Sequence, residues 1–214
     1  MPPPTAPYLR ADGSIDPAYF EALYAAQADP WDFDTSLYEA AKYAATLDAL
    51  PCPRYERAFE AGCANGALTA RLAERCGHVL AVDVSPDALA RARERLAEVS
   101  HVRFEQRAMP EQMPAGRFDL AVVSEVGYYL SRERLADWAD RLAVAVEPGG
   151  DLALVHWTGP TDYPLSADEV HGLFLERADW GLVQSERQRV HEGVPMGTPD
   201  QPAGYRLDVL RRLA

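Results

Sequence analysis

Positive charge is in short supply: 21 Lys and Arg stand against 33 Asp and Glu among 214 residues, a net charge of −12. That balance argues against a nucleic-acid phosphate backbone as the usual partner, since such binding is driven by basic side chains displacing counterions. Cysteine is scarcer still, with only Cys52, Cys63 and Cys76. An odd set without C-x-x-C spacing makes neither a disulfide frame nor a zinc site, and fits reduced thiols in a cytoplasmic protein. No run approaches membrane-spanning length, and the opening MPPPTAP has no apolar signal core, so a soluble intracellular protein without membrane contact is expected. H-E-x-x-H and metal-ligand clusters are absent, so no metal is expected. Ser124 does not sit in a G-x-S-x-G elbow, which disfavours a serine hydrolase. There is no internal repeat.

What the chain does have is core material. At 48% hydrophobic residues it fits one well-packed domain. Residues 1–14 are proline-rich and read as a flexible tail, leaving 15–214 as a single domain whose first part, 15–52, forms a helical lid. Helices are expected over 17–27 and over 36–50, the second with Leu37, Ala41, Ala44, Leu47 and Leu50 on its apolar face. The loop between them is dense in aromatics and acids. Trp31, Tyr38 and Tyr43 are either lid residues over a ligand or packing for two extra helices.

The chain is organised around FEAGCANGALT (59–69) and the strand HVLAVDV (78–84). A short strand ends in Glu60, a loop carries Gly62 and Gly66, a helix runs over 67–76, and the next strand ends in Asp83, 21 positions after Gly62. This is a nucleotide-site layout: glycines admit a ligand close to the backbone, and the acid accepts ribose hydroxyls. A dinucleotide would want G-x-G-x-x-G, but Ala64 and Ala67 stand at the second and third glycine positions. Glu60 would also repel a pyrophosphate. It suits a ligand with a cation and no phosphate, which favours S-adenosylmethionine over NAD.

Beyond Asp83, a helix capped by Ser85 runs to 99, followed by strands over 101–108 and 118–125 and a helix over 132–146. A turn at 147–150 leads to a strand over 151–157 and a helix capped at Ser166 and reaching 178. Strands over 181–190 and 204–213, joined by the breaker-rich loop 193–203, close the chain as an antiparallel edge. The expected fold is α/β, a doubly wound, mostly parallel seven-stranded sheet with a terminal antiparallel strand.

With these pieces assembled, the sequence resembles the class I S-adenosylmethionine methyltransferases over about residues 17–213. More narrowly it resembles their NodS-like branch, the nodulation-factor N-methyltransferases. The resemblance lies in FEAGCANGALT (59–69), in SEVGYYL (124–130), and in DPWDF (29–33) with Tyr38 and Glu39. It implies a Rossmann-like fold, S-adenosylmethionine as methyl donor, S-adenosylhomocysteine as product, and a de-N-acetylated glucosamine unit as acceptor. It also implies that Glu60 meets the methionine ammonium and that Gly62, Cys63, Ala64 and Gly66 shape the loop beneath the ligand. Asp83, with Val84 beside it, would take the ribose hydroxyls, and Ala108 and Met109 would border the adenine. Ser124, Glu125 and Val126 would lie near the sulfonium, with Trp31 and Tyr38 closing over the ligand.

Methyl transfer to an amine needs alignment and an unprotonated nucleophile. Glu125 is the first candidate to orient or deprotonate the acceptor, against a salt-linked or cofactor-facing reading. Tyr128 would offer a hydroxyl or an aromatic wall, and core packing is its alternative. His156, near a strand exit, is either a base facing the acceptor or a hydrogen-bonded structural residue. His171 and Tyr163 lie on a segment able to cap the cleft, while His78, His101 and His191 read as surface residues. The acceptor is then a small molecule or an oligosaccharide. O-methylation of a small metabolite, a binding protein without turnover, and a nicotinamide oxidoreductase are the alternatives.

Overall fold

Strands and helices alternate along the chain as the apolar pattern demands. The computed structural model describes residues 5–189, 197–198, 201–202 and 204–214. In order these are α1 (Ala18–Ala26), α2 (Leu37–Ala49), β1 (Tyr55–Ala61), α3 (Ala67–Ala73), β2 (Cys76–Asp83), α4 (Pro86–Arg95) and β3 (Val102–Gln106). Then come β4 (Phe118–Ser124), a 3-10 turn (Gly127–Tyr129), α5 (Arg132–Ala145), β5 (Val146–Trp157), α6 (Ala167–Leu175), β6 (Trp180–Arg189) and β7 (Gly204–Arg212). Most of the loop expected over 193–203 lies outside the described residues.

The seven strands stand in the order β3-β2-β1-β4-β5-β7-β6. Strands β1 to β5 pair in parallel, and β7 is antiparallel to both β5 and β6. The last two strands thus form the expected antiparallel edge, with β7 on its inner side against β5 and β6 outermost. Period-two alternation divides the core between the two faces. Phe59, Ala61, Ala121, Val123, Leu152 and Leu154 pack with Trp138 and Leu142 of α5 on one side. Ala58, Leu120, Val122 and Ala153 pack with Leu72 and Leu89 of α3 and α4 on the other.

The chain winds outward from β1 through α3 to β2 and through α4 to β3, then returns to β4 on the opposite flank of β1. The crevice outside the strand ends at such a reversal is where open α/β sheets bind ligands.

Several boundaries shift. Helix α3 ends at Ala73 and Cys76 already belongs to β2, because the Arg75 carbonyl accepts the Tyr55 amide at 2.9 Å and starts the β1–β2 ladder. Helices α4 and α6 stop at Arg95 and Leu175. The expected turn at 147–150 is instead part of β5, where pairing with β4 changes register.

Two larger corrections concern the front of the chain. Residues 5–14 are not a loose tail: the Thr5 amide donates to Asp162 Oδ2 at 2.8 Å, the Ser14 hydroxyl accepts the Ser131 amide at 2.8 Å, and Leu9 bridges Ile15. In α2 the first turns of the expected apolar face point outward, with Leu37 87% exposed and Ala41 and Ala44 exposed, while Leu47 and Leu50 at its end do pack into the core. Its buried side carries Glu39, Lys42, Tyr43, Thr46 and Ala49.

Candidate active site

The tips of β1, β2 and β4 open into a cleft of about 980 Å³. At the β1 tip the chain turns through three left-handed residues, Gly62, Ala64 and Gly66, at φ of 73°, 49° and 80°. Gly62 must lack a side chain, because a Cβ there would fall 2.2 Å from Val126 Cγ2. Ala64 holds an unfavourable conformation for a residue with a Cβ. Its amide donates to Asp83 Oδ2 at 2.9 Å, which anchors it. Gly66 caps α3 and lies against Ala92 and Leu96; it is not in the cleft wall, so its glycine serves helix packing.

Glu60 and Asp83, on neighbouring strands, supply buried carboxylates. Burial pushes the Glu60 carboxyl up to about 7, with the nearby Asp83 charge adding to the rise and the Thr69 hydroxyl, donating at 2.6 Å, opposing it. Among the described residues no cation pairs with Glu60. Burial also raises Asp83, against the amides of Ser85, Ala64 and Val84 that stabilise its ionised form. Cys63, Val84, Ala108, Met109, Ser124 and Val126 line the same cleft, as does Trp31, which stacks on Phe33 at 5.6 Å. Tyr38 does not: its ring turns to Trp157 and Tyr205 at 5.7 and 6.2 Å.

At the β4 tip Glu125 takes φ of 57°, another left-handed residue with a Cβ. Its carboxylate is firmly tethered. Oε1 accepts from Lys42 Nζ at 2.6 Å, and Oε2 accepts from the Tyr128 hydroxyl and from the Trp157 amide at 2.9 Å. Lys42 is fully buried and also reaches Glu39 Oε1 at 2.9 Å. Burial pulls its pKa down, yet the Glu125 and Glu39 charges outweigh this and hold the ammonium above the ordinary lysine value. Burial keeps Tyr128 a neutral phenol. Tyr128, Tyr129 and Tyr163 form a ring cluster with centroids 4.7 to 4.9 Å apart, which walls one side of the cleft.

His156 does not face the cleft. It is completely buried, and both ring nitrogens are engaged, Nε2 by the Gly127 amide and Nδ1 by His171, each at 3.0 Å. Alternation along β5 sends His156 to the α6 side and Trp157, its neighbour, to the cleft. His171 is equally buried, and His101 is half-buried against the Ala73 carbonyl; His78 is exposed, and His191 lies outside the described residues. Among the described residues no group of His, Cys, Asp and Glu is arranged to hold a metal, and no helix is long and apolar enough to cross a membrane.

Lys42 is the residue that sequence reasoning missed. A Glu39-x-x-Lys42 pair on a helix normally faces water. Nothing local tells that its partner is a strand tip 83 positions away. Trp157 was also missed, although strict alternation from His156 would have offered it. Ile15 and Tyr24, further cleft residues, come from segments with no motif, and Phe33 closes the DPWDF segment without having been singled out.

The family model for Nodulation protein S (NodS) matches residues 22–151. Nodulation protein S of Sinorhizobium fredii (strain NBRC 101917 / NGR234) is 38% identical over 106 residues, 49% of each chain. The chain thus spans about half the length of the curated relatives it matches. Among solved structures, N-methyltransferase NodS from Bradyrhizobium japonicum WM9 in complex with S-adenosyl-l-homocysteine is 25% identical with a TM-score of 0.78, covering 90% of this chain and 97% of that one. A crystallised Pseudomonas syringae protein is 40% identical with a TM-score of 0.67, covering 83% of this chain and all of that one.

Proposed function

The chain belongs to the NodS family, and on that premise we propose that it is a methyltransferase using S-adenosylmethionine to methylate the amine of an amino sugar or another small acceptor. One observation carries the cofactor assignment: Glu60 is a buried carboxylate with no cation beside it among the described residues, in a cleft whose neighbouring strand tip holds Asp83. A ligand with an ammonium at one end and a ribose further along satisfies both. The bare backbone at Gly62 leaves room for it.

When bound, the cofactor supplies an electrophilic methyl group whose leaving group is a neutral thioether. The protein's part is placement. Glu60 holds the ammonium, and Asp83 takes the ribose hydroxyls with the lone pairs that Ala64 and Ser85 leave free. Ala108 and Met109 border the adenine. On the acceptor side Trp157, Tyr128 and Tyr163 exclude water and flank the nucleophile. Glu125, already accepting from three donors, acts as the anchor of this corner and not as a free base. The acceptor therefore has to present a lone pair, as a neutral amine. A reducing location fits three unpaired thiols, and the cytoplasm is the proposed one.

Calorimetric titration with S-adenosylhomocysteine, and separately with NAD, tests the cofactor. Binding of the first alone supports the assignment; binding of NAD alone, or of neither, refutes it. Labelled methyl transfer to de-N-acetylated chitooligosaccharides then tests the acceptor.

Two expectations follow for the cofactor site. Asp83→Ala should weaken S-adenosylhomocysteine by about 1–3 kcal/mol through lost charged hydrogen bonds; unchanged affinity removes Asp83 from the ribose. Affinity should also depend on pH. Below about 7 Glu60 is protonated in the free protein and offers no charge to an ammonium. Binding should therefore weaken toward about tenfold per pH unit on acidification, with proton uptake by buffer showing release from Glu60. A flat profile between pH 5.5 and 7.5 would move the ammonium elsewhere.

A further inference from the structure

His156, His171 and Asp208 form a buried chain that the reaction outlined above leaves unused. All three are completely buried. His156 Nε2 lies 3.0 Å from the Gly127 amide nitrogen, its Nδ1 lies 3.0 Å from His171 Nε2, and His171 Nδ1 lies 2.7 Å from Asp208 Oδ2. Asp208 is pinned in turn by Arg206 Nε at 2.9 Å and by the Ser185 hydroxyl at 2.5 Å.

The hydrogen positions follow from the ends of the chain. An ionised carboxylate only accepts, so His171 Nδ1 carries its proton and donates. His171 Nε2 is then bare and accepts from His156 Nδ1–H. That leaves His156 Nε2 bare, which is what the Gly127 amide, a donor only, requires. Every polar atom is satisfied in one direction, with both rings neutral. Burial disfavours the charged form of either ring, consistent with this arrangement. A proton wire is excluded by the same geometry, because the chain ends on a peptide N–H that does not give up its proton.

The far end is what gives the chain a purpose. Gly127 opens the 3-10 turn whose next residue, Tyr128, donates to Glu125. A Cβ at Gly127 would lie 2.7 Å from Val170 Cγ1 and 3.0 Å from His156 Nε2, so the turn is seated directly on the ring. The Tyr128 ring also packs edge-on to His156 at 5.1 Å.

We infer that His156 is a positioning residue: by accepting the Gly127 amide it fixes the turn that sets the Tyr128 hydroxyl on Glu125, while His171 and Asp208 hold it in the one tautomer able to accept. This rests on the methyltransferase reading for its consequence, but not for its geometry. The charged or titratable groups facing the two rings are Lys42 of α2, Tyr128 of the turn, Asp168 of α6, and Asp208 and Arg206 of β7.

The experiment has two arms. Nitrogen-15 NMR of histidine-labelled protein should show His156 and His171 as neutral Nδ1–H tautomers throughout about pH 5.5 to 8.5. An Nε2–H tautomer at His156, or titration of either ring in that interval, overturns the inference. In the second arm, labelled methyl transfer to a de-N-acetylated chitooligosaccharide is compared with S-adenosylhomocysteine affinity. His156→Leu should lower kcat by about thirtyfold with affinity changed less than about threefold, since misplacement of a reacting wall penalises turnover. His156→Gln, whose amide oxygen can accept from Gly127 while its NH2 donates to His171, should recover most of the rate. Equal loss in both variants, or loss of affinity and rate together, overturns the positioning role. If wild-type protein binds S-adenosylhomocysteine but transfers nothing to this probe, the proposed acceptor fails while the tautomer arm still decides the inference.

Discussion

Replacing Glu60 with glutamine is expected to raise the melting temperature of the ligand-free protein at pH 8 and, in the same variant, to remove most of its cofactor affinity. The two effects share one cause. Glu60 is buried and its carboxyl is pushed from 4.5 up to about 7. Between those values the folded protein binds a proton that the unfolded chain has released. The stability contributed by neutral Glu60 is therefore complete below the unfolded value of 4.5 and is lost as pH rises through about 7. At pH 8 the shift corresponds to about 3 kcal/mol of destabilisation. Glutamine carries no charge and can still accept from Thr69, so roughly 5–10 °C should be regained in thermal denaturation. At pH 4.5 the gain should vanish. The affinity loss is the other side of the same burial: a low-dielectric carboxylate attracts an ammonium strongly, and its removal should weaken S-adenosylhomocysteine by at least about thirtyfold. A variant that is more stable yet binds normally would show that Glu60 does not face the ammonium. One that is less stable would show that the ionised carboxylate has a partner in the free protein.

The second large effect is expected at Lys42, which lines no part of the cleft but lies beneath it. Lys42→Met leaves the buried Glu39 and the partly buried Glu125 without their shared cation. Breaking a buried pair by removing one partner costs on the order of 3–5 kcal/mol, because the remaining charge is stranded. Glu39 relieves part of this by taking up a proton, since burial already raises its pKa despite the opposing Lys42 charge. Glu125 is held in a left-handed backbone by its three donors and has less room to adapt. Adding Glu125→Gln to Lys42→Met should restore about half of the lost stability, a coupling that a double-mutant cycle in urea measures directly. A loss under about 1 kcal/mol for Lys42→Met, or simple additivity in the cycle, would mean that the ammonium and carboxylate do not act as a pair.

The uneven legibility of this protein has a physical basis. Glu60, Gly62 and Asp83 belong to one strand-loop-helix-strand unit, and its geometry is fixed by local rules. Left-handed turns favour glycine, strand tips project their last side chains outward, and a parallel neighbour lies one helix later. Those residues were readable because every constraint on them lies within a few turns of chain. The reading of which α2 face is buried failed over its first turns for the opposite reason. Alanine says little about which helix face is buried, and Leu37 was given weight that the packing does not give it. The side turned inward carries a lysine, which only a carboxylate elsewhere makes tolerable. The same holds for His156: a histidine at a strand exit is ambiguous until Asp208, from the last strand, sets the direction of every hydrogen bond between them.

By itself, then, the sequence determined the doubly wound seven-stranded sheet, the glycine loop and the two carboxylates at its mouth, all products of short-range pattern and backbone sterics. Only the tertiary structure decided that Lys42 lies under the acceptor corner, that Tyr38 and Gly66 stand outside the cleft, that residues 5–14 are tied down against Asp162 and Ser131, and that His156 supports a turn instead of facing a ligand. Those outcomes depend on where buried charge finds its partner, and that is settled between elements far apart in the chain.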